Sequence, residues 1–171
     1  MKLDFAIGDC LLGKLLVATN KQGVCAVLLG DHRDALRSDL AERFSPAELH
    51  EAVEPMKTLL MQIADEIRHP RLIPQHIKLA PKGTAFQQKV WAALRQIPVG
   101  QTVTYKHLAE RIGSPRAVRA VAGACAANPI AVLIPCHRVL RSDGGLSGYR
   151  WGVERKRALL QRESAVQFSA N

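Results

Sequence analysis

Three prolines punctuate one short stretch, H-P-R-L-I-P-Q-H-I-K-L-A-P-K-G, at Pro70, Pro74 and Pro81. Proline lacks an amide proton and pushes its predecessor towards extended backbone, so neither a helix nor a central strand runs through such a segment. The stretch reads as an extended connection over 69–82, and it divides the chain into residues 1–80 and 83–171. At 171 residues the chain can build one good core or two small domains sharing an interface.

Before the prolines, the apolar runs Leu15 to Thr19 and Val24 to Leu29 flank N-K-Q-G. This pattern predicts a hairpin with Gly23 closing the turn. In D-H-R-D-A-L-R-S-D-L-A-E-R-F, Asp31 is placed to cap a helix whose face carries Leu36, Leu40 and Phe44. S-P-A-E, with Ser45, Pro46 and Glu48, predicts a second helix start. Pro55 interrupts it, and Met56, Leu59, Leu60, Ile63 and Ile67 continue an apolar face. His32, His50, His69 and His76 show no convincing ligand spacing and read as surface or packing residues. The first part is expected to be a small α+β domain without chemistry of its own.

Charge separates the two parts. Residues 1–80 carry 10 Lys+Arg against 11 Asp+Glu, whereas residues 81–163 carry 14 against 4. The net charge of +9 therefore comes from the second part, and a basic unit joined to a neutral one points to a polyanion, with nucleic acid the leading candidate. Hydrophobic residues make up 47% of the chain and charged residues 23%, which argues against disorder. The start M-K-L-D-F-A-I-G-D-C-L-L-G-K is too interrupted by charge for a signal peptide. The uncharged run Ala120 to His137 is split by Asn128-Pro129 and rejected as a membrane span. Cys10, Cys25, Cys125 and Cys136 show neither C-x-x-C nor zinc-module spacing, so reduced thiols in the cytoplasm are expected and no metal or cofactor is.

After the prolines, T-A-F-Q forms a capping box (Thr84 with Gln87) ahead of the stripe Phe86, Val90, Leu94 and Ile97. Pro98 and Gly100 stop it. Thr104 caps T-Y-K-H-L-A-E-R-I-G, with Gly113 as its stop, and Ser114-Pro115 opens the next helix towards Ala127. Two helices joined by a tight Gly-Ser-Pro turn read as a helix-turn-helix. The second carries Arg116 and Arg119 among residues no larger than Val, so it can lie close to another surface.

Then comes I-A-V-L-I, read as a buried strand, which ends on I-P-C-H-R-V. A thiol followed by His137 and Arg138 is placed where its thiolate is favoured, and the thiolate is the nucleophile. Neighbours on a strand point to opposite faces, so either the chain turns sharply at Cys136 or a water carries the proton between Cys136 and His137.

The motifs I-P-C-H-R-V, A-N-P, T-Y-K-H-L-A, S-P-R-A-V-R-A-V and G-G-L-S-G-Y-R-W-G together closely resemble the O6-alkylguanine-DNA alkyltransferases, also called methylated-DNA–protein-cysteine methyltransferases. The resemblance is dense from about Gly83 to Glu163, and S-G-Y-R-W-G resembles the bacterial adaptive-response branch. It implies an α+β protein, with a ribonuclease-H-like N-terminal part of small antiparallel sheet and helices, and a mostly helical, winged-helix-like DNA-binding part. It implies direct, single-turnover repair of O6-alkylguanine, and of O4-methylthymine, in double-stranded DNA. Cys136 is then the alkyl acceptor, His137 the base acting through a water, and Glu163 the residue that orients His137. Tyr105 supplies the leaving guanine with a proton or hydrogen bond. Arg119 enters the stack in place of the flipped base, with Tyr105, Ser114, Arg116 and Ala117 the further DNA-contacting positions, in the minor groove. Asn128, Gly148, Tyr149, Arg150 and Trp151 surround the pocket, and the bulk of Trp151 is expected to favour methyl over benzyl adducts. A monomer without membrane contact is expected.

Two other classes fit parts of the chain. A DNA-binding regulator that senses electrophiles through Cys136-His137 explains the charge but does not require Tyr105, Asn128 and Glu163. A cysteine hydrolase accounts for Cys136, His137 and the distant carboxylate but leaves the basic part and Arg119 unexplained.

Overall fold

The computed structural model describes residues 1–71 and 76–170, with backbone only for 167–170. It is a mixed α+β structure. Strands β1 (Lys2–Cys10), β2 (Gly13–Asn20) and β3 (Gly23–Gly30) form an antiparallel meander. Helix α1 (Arg33–Arg43) follows, then a short β4 (Glu48–Glu51) and helix α2 (Val53–Arg68). The sheet order is β3-β2-β1-β4, with β4 added to β1 in parallel, Lys2 opposite Glu48. Its hairpin turn takes Gly23 at φ 148°, a region open to glycine, as the N-K-Q-G signal requires. Asn20 Oδ1 accepts the amides of Gln22 and Gly23.

Several local expectations give way here. S-P-A-E starts no helix: Ala47 N–H bonds back to Phe44 O, and Glu48 N–H pairs with Met1 O to start β4. Pairing with an available sheet edge outweighs a local capping signal. Pro55 lies within the first turn of α2, where a missing amide proton is tolerated, so it interrupts nothing. Asp31 does not cap α1; His32 occupies that position without a side-chain bond, and Asp31 Oδ1 accepts from Arg155 at 2.8 Å instead. The first strand was not anticipated, because its apolar residues are interrupted by Asp4, Gly8 and Asp9. Pro74 of the proline-rich connection lies outside the described residues.

The helical part contains α3 (Ala85–Leu94), α4 (Tyr105–Arg111), α5 (Val118–Ala126) and α6 (Val153–Ala170), with a two-stranded parallel pair of β5 (Val103–Thr104) and β6 (Val139–Leu140). Both sides of the capping box are made: Thr84 Oγ1 accepts from Gln87 N at 3.1 Å, and Gln87 Oε1 accepts from Thr84 N at 3.0 Å. Thr104 Oγ1 caps α4 by accepting from His107 N at 3.0 Å. Gly113, at φ 77°, ends it in left-handed backbone. The next helix starts at Val118, later than Ser114-Pro115 suggests. Residues 114–117 form a turn closed by Ala117 N–H to Ser114 O, because the chain must still change direction after Gly113.

One buried apolar cluster runs through sheet and helices. The free edge of β3 clasps two segments from beyond the sheet. Val24 exchanges backbone hydrogen bonds with Lys78 and Ala80, while Val27 N–H donates to Pro129 O at 3.0 Å and Val27 O accepts from Ala131 N at 2.9 Å. That second clasp fixes the chain six residues before Cys136. I-A-V-L-I is accordingly not a strand: only Ile130 bridges to β3, and the chain then turns through Val132 at φ 69°. A β-branched residue in the left-handed region costs on the order of 1–3 kcal/mol, and the surrounding hydrogen bonds hold it there. No helix among the described residues is long and apolar enough to cross a membrane.

Candidate active site

Cys136, His137 and Arg138 form a single 3-10 turn between the strained Val132 bend and β6. The sharp turn resolves the geometric question that an extended strand raises, because adjacent side chains no longer point to opposite faces. Cys136 is buried, at 5% exposure, and lines a cavity of about 290 Å³. Tyr105, Ala122, Cys125, Ala126, Gly148, Tyr149 and Arg150 complete its walls. The small residues of α5 thus face this cavity as well as the helix surface.

Asn128 organises the approach. It is fully buried, and its amide donates to Ile134 O at 2.8 Å and to Cys136 Sγ at 3.3 Å, while its oxygen accepts from Ile130 N at 2.9 Å. One side chain therefore ties the end of α5 to the thiol and satisfies two backbone groups on the way.

Behind the thiol, His137 is fully buried, and its Nε2 lies 2.9 Å from Glu163 Oε2 on α6. Glu163 is ionised, so Nε2 carries the proton and donates it. The other ring nitrogen, Nδ1, then holds the lone pair, and it has no hydrogen-bond partner among the described residues. Arg138 braces the same carboxylate, with Nε 2.7 Å from Oε1 and Nη2 2.9 Å from Oε2, and Nη1 donates to Ile97 O at 2.6 Å. Burial alone would raise the Glu163 carboxyl, but the hydrogen bonds from His137 and Arg138 and the Arg138 charge outweigh it and hold it down at about 2. Burial lowers His137 below its ordinary value against the pull of Glu163, so the ring is neutral at neutral pH.

The thiol departs from expectation. Both basic neighbours turn towards Glu163 rather than towards sulfur, and burial pushes Cys136 up to about 11 in spite of the Asn128 hydrogen bond and the Lys156 charge. It rests as a thiol and needs a base at the moment of reaction. Burial likewise lifts Cys125, in the same cavity, to about 12.

The remaining expected residues fall in two groups. Tyr105 Oη sits 2.6 Å from Ser147 Oγ at the cavity edge. Tyr149 packs its ring edge-on against His137 (centroids 6.5 Å apart) and against Trp151 (5.3 Å). Trp151 does not line the cavity; it is buried behind Tyr149, with Arg150 stacked on its face. Arg150 also reaches Asn128 O at 3.3 Å and Asp39 of α1 at 3.5 Å. Ser114, Arg116, Ala117 and Arg119 lie apart from the thiol, at the start of α5, with both arginines exposed. Sequence reasoning missed Lys156 and Ser147. Lys156 is fully buried, and its Nζ donates to Val139 O at 2.7 Å and Ser147 Oγ at 3.0 Å. Its spacing of three from Leu159 and seven from Glu163 on α6 puts it on the same buried helix face. Among the described residues no three His, Cys, Asp or Glu side chains cluster as a metal site.

Comparison with known proteins agrees with this geometry. Residues 85–165 match the family described as 6-O-methylguanine DNA methyltransferase, DNA binding domain. The chain is 51% identical over 167 residues to the bifunctional transcriptional activator/DNA repair enzyme Ada of Escherichia coli K12, covering 96% of this chain and 46% of that protein. It is 56% identical over 88 residues to the methylated-DNA–protein-cysteine methyltransferase of Haemophilus influenzae, covering 52% of this chain and 49% of that protein. The chain thus spans about half the length of the curated relatives it matches. Among solved structures, Mycobacterium tuberculosis OGT in complex with DNA superposes with a TM-score of 0.78 at 31% identity, over 95% of this chain and 94% of that one. A cysteine set in a 3-10 turn before a buried His–Glu pair, on this fold and with these relatives, places the chain in the 6-O-methylguanine DNA methyltransferase family.

Proposed function

We propose that this chain repairs double-stranded DNA by moving an alkyl group from O6 of guanine, and from O4 of thymine, onto its own Cys136, once per molecule. The observation that carries this reading is a buried thiol lining a base-sized cavity, with a neutral histidine and an ionised glutamate ranked behind it. His137 takes the thiol proton at Nδ1 through a water, and Glu163 stabilises the resulting imidazolium. Asn128 and Lys156 favour the thiolate. The sulfur attacks the alkyl carbon, the C–O bond breaks, and the electron pair passes to the guanine, which takes a proton from Tyr105. The thioether left on Cys136 has no ionisable group and no easy reverse step, so the protein is spent.

The target base is hidden inside a duplex and has to be flipped out. Exposed Arg119 on α5 fills the gap, while Ser114, Arg116 and Ala117 contact the backbone from the minor groove. Residues 83–171 would then form the DNA-binding unit, and residues 1–80 would support it as a separate domain. A monomer suffices, since every group named lies in one chain. Incubation with a duplex carrying one O6-methylguanine should add one methyl mass to the intact protein. The same mass before and after incubation, with tight binding to the duplex, would favour a damage-sensing regulator instead.

A further inference from the structure

Lys156 is a fully buried ammonium whose hydrogen bonds lead towards the leaving group rather than towards the thiol. Its Nζ donates to Ser147 Oγ at 3.0 Å, and Ser147 Oγ lies 2.6 Å from Tyr105 Oη at the cavity wall. We infer that Lys156, Ser147 and Tyr105 form a proton relay that feeds the departing guanine, with Lys156 as the source and Ser147 as the link. The relay rests on the alkyl-transfer reading above and adds the origin of the proton that Tyr105 hands over.

The direction of the chain follows from donor and acceptor capacity. An ammonium can only donate, so Ser147 accepts from Lys156. The serine has one proton to give, to Tyr105 Oη at 2.6 Å or to Gly148 O at 3.5 Å, and the shorter contact prevails. Tyr105 therefore accepts from Ser147, and its own proton is left to face the cavity. In the reaction, Tyr105 gives that proton to the guanine, takes one from Ser147, and Ser147 takes one from Lys156, which ends neutral.

Charge and timing both balance. Before reaction the buried charges are Lys156⁺ and Glu163⁻; afterwards they are the His137 imidazolium and Glu163⁻, which are in contact at 2.9 Å. Burial lowers Lys156 from its ordinary value, and the thiolate formed when His137 takes the Cys136 proton opposes that shift. Once Cys136 becomes a thioether that opposing charge is gone, and the ammonium is easier to deprotonate. Release of the proton thus follows the formation of the S–C bond.

The test uses the full chain, its Ser147→Ala variant and its Ser147→Thr variant in two single-turnover reactions, each read by peptide mass at Cys136. One is methyl transfer from an O6-methylguanine duplex. The other is alkylation by iodomethane, whose iodide leaves without a proton and so reports the thiol alone. The relay predicts that Ser147→Ala slows transfer from guanine about a hundredfold or more, the lower end of the range for general acid catalysis. It also predicts an iodomethane rate that does not change, and recovery of transfer in Ser147→Thr. Transfer from guanine at the wild-type rate in Ser147→Ala, or equal slowing of both reactions, would overturn it. Failure of the wild-type chain to take any methyl from DNA would instead overturn the repair reading.

Discussion

Glu163 sits between two hydrogen-bond donors, the neutral His137 ring at 2.9 Å and the Arg138 guanidinium at 2.7 Å, while only 4% of its side chain is exposed. With its pKa near 2 in the fold against an ordinary 4.5, it contributes stability that is fully present above pH 4.5. That contribution is lost as pH falls from 4.5 towards 2, and it amounts to about 3 kcal/mol. Glu163→Gln should therefore unfold more easily than wild type at neutral pH and show a flatter stability profile across that acid window. Denaturant titrations at several pH values would reveal it, and parallel profiles would exclude the role. The roles of Cys136, His137 and Glu163 were suggested by the motif, but the state of the thiol was not. Adjacency in C-H-R suggested a stabilised thiolate, whereas side-chain direction, set by the 3-10 turn, sends both His137 and Arg138 to Glu163 and leaves Cys136 near 11. Sequence neighbours do not reveal direction.

At the scale of elements, the stretch from Asn128 to Cys136 departs most from its local pattern. An apolar run bounded by prolines has the signature of a buried strand. It turns instead because Asn128 satisfies the Ile130 amide and Ile134 carbonyl with its own side chain. Replacing Asn128 with Ala leaves both groups buried without that partner, at a cost on the order of 3 kcal/mol. It also removes the hydrogen bond to sulfur, so both unfolding midpoint and methyl-transfer rate should fall. A variant as stable and as fast as wild type would mean that the bend is held by other contacts. Caps, by contrast, were legible: Thr84, Gln87 and Thr104 act within four residues of themselves and need no tertiary partner. The Ser45-Pro46 signal was equally local, yet an open edge of β1 recruited the chain as β4.

Across the whole molecule, the basic excess of the second part divides by position. Arg138, Arg150, Arg155 and Lys156 are spent internally, two of them against carboxylates of the first part: Arg155 with Asp31 at 2.8 Å and Arg150 with Asp39 at 3.5 Å. Arg116 and Arg119 remain exposed on the helix-turn-helix. DNA affinity should decline with salt, and Arg116→Ala should lower the slope of log affinity against log salt by about 1 through loss of one phosphate contact. Arg155→Ala, which disturbs only internal bonds, should leave that slope unchanged. Equal slopes for all three proteins would place the phosphate contacts elsewhere. Charge asymmetry was visible in the sequence, but which cations are free depends on packing.

The most direct measurement is the stoichiometry and location of methyl transfer with damaged duplex in excess, followed to completion. The account predicts one methyl per protein, found on the peptide containing Cys136 and absent from Cys136→Ser. Continued turnover, or a methyl on Cys125 or another residue, would contradict it.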